Sequence, residues 1–241
     1  MEIKEEQSRT AMLLGEAAME RLKSAHVAVF GVGGVGGHLC EALARVGVGA
    51  FDLFDNDTVS LSNINRQTVA LHSTVGRPKV EVMKEKILDI NPECRVRAYQ
   101  AFYLPQNADE FPLEGYDYIA DAVDTVSAKV ELAVRAAQAN VPIIAAMGAG
   151  NRTDPTKFAV TDLFKTEGCP LARVMRHELR ARGIQRLKVV FSTEPTAPRA
   201  ADAPEISTNG EKKLPPASLP FVPSVAGLLM ARKITFDLID K

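Results

Sequence analysis

Cysteine is scarce in this chain of 241 residues: three in all, Cys40, Cys94 and Cys169, odd in number and widely scattered. That pattern argues against a disulfide framework and fits a reducing, cytoplasmic compartment. No C-x-x-C is present, so the sequence offers no obvious zinc site. No run approaches the roughly 18 apolar residues of a membrane span, and the polar start MEIKEEQSRT does not read as a signal peptide. A net charge of −1 leaves no global basic signal for nucleic acid, so any such signal has to be local. Internal repeats are absent. What the chain does have is apolar residues, at 46%, enough to bury a core and to exclude a disordered polymer.

The stretch around which the rest is organised is Val27 to Gly37, VAVFGVGGVGG. Val27–Phe30 reads as a buried parallel strand that stops at Gly31. Gly31, Gly33 and Gly36 fit G-x-G-x-x-G, with Gly34 as an extra glycine and Val35 opening the helical stripe of Leu39, Ala42, Leu43 and Val46. A second strand, Ala50–Phe54, leads into Asp55-Asn56-Asp57. Strand, glycine turn, helix, strand and acid follow in the order of a nucleotide-binding βαβ unit. The glycines let the backbone approach a phosphate at the helix N-terminus, and Asp55 accepts ribose hydroxyls. This stretch alone does not separate ATP from NAD.

Elsewhere the pattern alternates. Arg9–Leu22 predicts one or two short helices, and Thr58–Gly76 an ordered polar loop. A helix begins at Pro78 and stops at Asn91-Pro92, a strand covers Arg95–Ala101, and a loop follows at Pro105–Gly115. Tyr116–Val123 is expected to be a strand ending at Asp124, Thr125–Asn140 a helix and Val141–Ala146 a further strand. The fold class is therefore α/β: a doubly wound, mostly parallel, Rossmann-like sheet over residues 1–150 with a C-terminal α+β extension over 151–241 packed on the same core. In the extension, Phe158–Leu163 reads as an edge strand and Leu187–Ser192 as another strand. Pro170–Arg182 reads as a helix with Leu171, Val174, Met175 and Leu179 inward. Glu194–Ala217, with five prolines, predicts a mobile surface loop, and Phe221–Ile239 a final helix after Pro223.

The polar loop weighs against hydride transfer. Asn63, Arg66, Gln67 and Lys79 crowd behind the ribose-binding acid, where a nicotinamide enzyme has no evident need of them. Cleavage between the α and β phosphates of ATP does need cations there, because charge builds on the departing pyrophosphate. Asp124, at a strand's carboxyl end, is placed to hold Mg²⁺. Cys169 precedes Pro170 at a helix start; an ordinary packing role outweighs a thioester role there. Cys40 and Cys94 read as packing. None of His26, His38, His72 and His177 is assigned chemistry, and Phe221–Gly227 reads as a docking segment.

The run G-V-G-G-V-G…D-N-D-T-V-S-L-S-N-I-N-R-Q…V-G-R-P-K…D-A-V-D resembles the adenylating superfamily of ubiquitin-activating enzymes and of molybdopterin and thiamine sulfur-carrier adenylyltransferases. The resemblance covers residues 9 to about 150. It implies that Asp55 of Asp55-x-Asp57 binds ribose, that Asn63, Arg66 and Lys79 contact phosphates, that Asp124 lies near magnesium, and that Arg9 reaches the partner's ATP in a homodimer. Two departures narrow the family: the C-x-x-C pairs of the sulfur-carrier enzymes are missing, and the C-terminal part, from PTKFAVTDLFKTEGCPLARVMRHELRARGI to FVPSVAG, is similar to the tRNA threonylcarbamoyladenosine dehydratases. That family implies ATP-dependent closure of a modified adenosine in tRNA through an acyl adenylate. The alternative is activation of the C-terminal glycine of a ubiquitin-like or sulfur-carrier protein, and a third reading is a non-catalytic dinucleotide sensor. A sulfur-relay or carrier protein partner stays open; a membrane partner is not expected. A local basic signal exists as well. Between Lys165 and Lys188, Lys165, Arg173, Arg176, Arg180, Arg182, Arg186 and Lys188 face only Glu167 and Glu178, a net of +5.

Overall fold

The computed structural model describes residues 4–203 and 216–240. Of the expected mobile loop, 204–215 lie outside the described residues. Five short strands, β1 (His26–Phe30), β2 (Ala50–Phe54), β3 (Arg95–Tyr99), β4 (Tyr118–Asp121) and β5 (Ile143–Ala146), pair in parallel in the order β3-β2-β1-β4-β5. The sheet then continues: β7 (Lys188–Ser192) lies parallel to β5, and β6 (Phe158–Asp162) closes the edge antiparallel to β7. The chain leaves β1 toward β2 on one side and toward β4 on the other. That reversal opens a crevice at the carboxyl ends of β1 and β4.

Side-chain alternation decides which helix covers which face. Val27, Val29, Phe51 and Leu53 point to one side. There they meet Leu39 and Leu43 of α3 (Gly36–Arg45), Met83 and Ile87 of α4 (Lys79–Ile90), and Met230 and Ile234 of α7 (Phe221–Ile239). Ala28, Phe30 and Ile119 point to the other, against Ala128 and Leu132 of α5 (Val126–Gln138). Val189 on the extension packs with Met175 and Leu179 of α6 (Pro170–Ala181). β4 and β5, covered on both faces, read as almost wholly apolar, whereas β2 carries the buried Asp52 and the edge strand β3 alternates. Leu43 is fully buried, and trimming it to Ala should cost about 2–5 kcal/mol. Before the sheet, α1 (Ser8–Leu14) and α2 (Glu16–Ser24) break at Gly15.

Three expectations need correcting. β4 stops at Asp121, not at Val123: the Ala122 N–H to Phe30 O at 2.8 Å is the last ladder bond with β1, and the Val123 N–H turns to the Asp121 carboxylate at 3.2 Å. Val174 is 41% exposed, while Ala172, Met175 and Leu179 form the inward face of α6; the stripe is narrower than the apolar residues suggested. α7 spans Phe221–Ile239 as expected, but Pro223 lies inside its first turn and not before it. A proline is tolerated in the first turn, since the N–H it lacks has no partner there anyway.

Candidate nucleotide site

The crevice is a cavity of about 640 Å³ whose walls include Gly31, Gly33, Gly34, Val35, Asp55, Asp57, Asn63, Arg66, Lys79 and Asp124. Thus it gathers ten of the expected site residues from five separate stretches of the chain. Gly36 lies just outside the lining, as the first residue of α3. Its role is close packing: a Cβ there would stand 1.8 Å from Gly31 O. Gly31 itself has φ +88°, with Ala122 O 2.7 Å from a Cβ position, so only glycine permits the crossing of these two loops. Arg9 is exposed on α1 and is no part of the cavity wall.

Three of the polar wall residues, Asp55, Asn63 and Arg66, are held by backbone groups. Asp55 ends the run from β2, and its carboxylate accepts the Val32 N–H at 2.7 Å and the Asp57 N–H at 2.9 Å. Burial pushes its carboxyl above the usual carboxylate range; the Lys79 charge and those two hydrogen bonds pull against burial without overcoming it. Lys79, at the start of α4, is itself buried and donates to Asp57 Oδ2 at 2.7 Å. The 58–76 loop is ordered, as expected, by short 3-10 turns at Leu61–Asn63 and His72–Thr74. Asn63 Oδ1 accepts the Ser60 N–H at 3.1 Å, and Arg66 donates to Ser62 O at 3.0 Å and Asn65 Oδ1 at 2.8 Å. Partial burial of Arg66 lowers its pKa from the ordinary arginine value. Gln67 Oε1 is buried in the wall and has no donor among the described residues. Asp124 is exposed, within 3.4 Å of Thr125 Oγ1.

Several contributors were not expected. Pro216, Ser218 and Pro223 line the cavity, so the proline-rich segment returns to it after residue 215. The 221–227 segment therefore both docks α7 and shapes the site. Behind the wall, Lys129 and Asp121 form a fully buried ion pair at 2.9 Å. Burial raises the Asp121 carboxyl, with Lys129 opposing. One sequence signal existed: Lys129 falls on the same helical face as the buried Ala133 and Ala136.

Cys169 is buried beside Met175 and Leu163, which agrees with packing. Cys40 and Cys94 are buried too; burial raises both thiols, Cys94 to about 12. His26 has a structural partner: its Nε2 lies 3.1 Å from Asp52 Oδ1, a pairing between neighbouring strands that one sequence does not reveal. The basic segment is less free than its composition implied. Arg176 donates to Thr166 O at 2.8 Å, Arg182 pairs with Glu178 at 2.7 Å, and Lys188 is tied to Asp237. Arg180 sits 5.3 Å from the centre of the Phe164 ring.

The buried Asp55, the cations Arg66 and Lys79 and the exposed Asp124 line one cavity and could meet the ribose, the phosphates and a metal of a nucleoside triphosphate. Among the described residues no group of three or more His, Cys, Asp or Glu side chains is placed to hold a metal by itself. Comparison with known proteins agrees with the cleft. The model of the ThiF family matches residues 7–235. A tRNA threonylcarbamoyladenosine dehydratase of Bacillus subtilis is 45% identical over 238 residues, spanning 96% of this chain and 94% of that protein. The Escherichia coli protein of the same name is 40% identical over 221 residues, 87% of this chain and 82% of its own length. A crystal structure of E. coli tRNA N6-threonylcarbamoyladenosine dehydratase in complex with ATP superposes with a TM-score of 0.87 at 34% identity, covering 100% of this chain and 98% of that one.

Proposed function

The chain belongs to the ThiF family, and from that premise we propose that it closes the threonylcarbamoyl side chain of a modified adenosine in tRNA at the expense of ATP. The observation that carries the reading is the cleft, in which Asp55, Arg66, Lys79 and Asp124 converge on one cavity. In this reading the free carboxylate of the modification attacks the α-phosphate and pyrophosphate leaves. The carbamoyl oxygen then attacks the acyl carbon, AMP departs with a former carboxylate oxygen, and the carbamoyl N–H gives up its proton. The sum is loss of water coupled to ATP cleavage, as a ligase couples it. No enzyme nucleophile is required.

Asp55 holds the ribose, while Asn63, Arg66 and Lys79 steady the phosphates and stabilise the charge that grows as pyrophosphate leaves. Asp57 keeps Lys79 aimed at the cavity. Gly31, Gly33, Gly34 and Val35 present the N-terminal end of α3 to an anion. Bound Mg²⁺ supplies charge neutralisation of the phosphate oxygens, with Asp124 as its protein contact. Residues 1–150 serve as the ATP-binding part and 151–241 as the tRNA-facing part. Arg9, exposed on α1, reaches across a homodimer to the partner's nucleotide. A cytoplasmic setting goes with a tRNA substrate. The experiment is to incubate the protein with ATP, Mg²⁺ and tRNA with or without the modification. AMP release that depends on the modification is expected; release driven instead by a ubiquitin-like or sulfur-carrier protein would replace this reading.

A further inference from the structure

Between β4 and α5 the chain makes a short crossing, Asp121-Ala122-Val123-Asp124, which carries the open carboxylate into the cleft. Three hydrogen bonds grip its third residue or the group that holds it. Lys129 Nζ donates to Val123 O at 3.1 Å and to Asp121 Oδ1 at 2.9 Å, and the same Oδ1 accepts the Val123 N–H at 3.2 Å. Both backbone polar groups of Val123 are therefore fixed by one buried ion pair. Ala122 is fixed from the other side, through its N–H to Phe30 O and the close approach of its carbonyl to Gly31.

Stability alone is a poor account of this arrangement. Neither Asp121 nor Lys129 is exposed to solvent, and a buried ion pair is often no better than apolar residues of similar volume. Asp121 Oδ2 is moreover buried with no donor among the described residues, a cost that a purely structural clamp would avoid. We propose that Lys129 is a positioning residue: acting through Asp121 and Val123, it sets where Asp124 stands relative to the glycine turn. Asp124 follows Val123 directly, so rotation of the 123 peptide moves its carboxylate within the cleft. An apolar pair at 121 and 129 fills the same space but lets that peptide turn. The inference rests on the adenylating reading of the cleft.

The test compares Asp121→Leu/Lys129→Met, Asp124→Asn and the three changes combined, each in the whole protein with ATP, Mg²⁺ and modified tRNA. The apolar pair is expected to unfold cooperatively near the parent midpoint, yet to form AMP about 10- to 100-fold more slowly, the scale of a misplaced group. The combined variant should lose no more than Asp124→Asn alone, because effects routed through one group do not add. Independently of activity, amide hydrogen exchange at Val123 and Asp124 should quicken in the apolar pair while exchange in β1 stays as it was. Parent-like AMP formation by the apolar pair, or losses that multiply in the combined variant, would overturn the proposal. So would loss of cooperative unfolding in both the apolar pair and Asp121→Asn, since the pair would then be a folding determinant. The parent is the control for function: if it forms no AMP with modified tRNA the functional reading fails, and exchange at Val123 still decides the clamp.

Discussion

Two polar clusters lie on the sheet, one toward each end of its strands, and they are built on opposite terms. Near the start of β1, Asp52 is buried among four donors: His26 at 3.1 Å, Arg97 twice at 2.8 and 2.7 Å, and Tyr116 at 2.6 Å. Burial alone would raise its carboxyl, but those bonds outweigh burial and hold it below the ordinary range. In the cleft at the other end, burial wins at Asp55, Asp124 lies open, and Gln67 Oε1 has no donor among the described residues. The same side-chain chemistry thus does two jobs. A saturated cluster holds strands together, whereas an unsaturated one keeps bonding capacity for a ligand.

The comparison breaks if the two clusters respond alike to substitution. On stability, the largest effect is expected at Asp52→Ala, which takes the common acceptor from His26, Tyr116 and the solvent-exposed Arg97 and should cost about 1–3 kcal/mol in denaturant unfolding. The protein that remains folded should form AMP at the parent rate. The acid limb follows the same group. A carboxyl lowered on folding contributes stability above its unfolded pKa of about 3.9 and loses it as pH falls through the folded value. Asp52→Asn should therefore flatten the fall in stability below about pH 4. Next comes Arg66→Ala, expected to remove about 2.7–4 kcal/mol of transition-state stabilisation with little change in the unfolding midpoint. Normal AMP formation by this variant would place the cleft with the structural cluster.

Smaller effects sharpen the picture. Arg9→Ala and Asp55→Ala subunits, each inactive alone, should recover about a quarter of the parent rate when mixed equally, from random pairing in a two-fold dimer. A monomer in sedimentation that is fully active would remove the cross-subunit role. Least in size is the change at the basic segment. Because Arg176, Arg182 and Lys188 are engaged within the protein, the informative set is Lys165, Arg173 and Arg186, all exposed. Changing these to Gln should flatten the salt dependence of tRNA binding by about 0.7–0.9 log units for each phosphate left without its cation, and leave ATP affinity alone. Unchanged slope would mean a solvated surface only.

Local chemistry was readable in the sequence, and long-range partnership was not. The βαβ unit, the bounds of β2 and the ordered loop carrying Asn63 and Arg66 follow from periodicity and turn residues. The end of β4 did not, because Ala122 and Val123 are apolar and the turn comes from side chains, Asp121 taking the Val123 N–H and Lys129 the Val123 carbonyl. His26 and Asp52 look like ordinary surface types until β1 and β2 pair in register. Lys129 gave one sign, its place on the buried face of α5, but only the fold shows Asp121 as its partner. Composition marked the segment before Phe221 as loop, yet only the fold returns Pro216 and Ser218 to the cavity.

The placement of β7 between β5 and β6 has a consequence for how the chain is made. Ile143–Ala146 leave the ribosome before Lys188–Ser192 exist. For that interval the nascent parallel sheet shows a bare apolar edge, with its peptide groups unmatched on one side. Such an edge recruits strands from other molecules. A chain stopped anywhere before Lys188 keeps it permanently. Cutting the protein back to its nucleotide-binding half should therefore give an aggregate, even though every residue of the glycine turn is present.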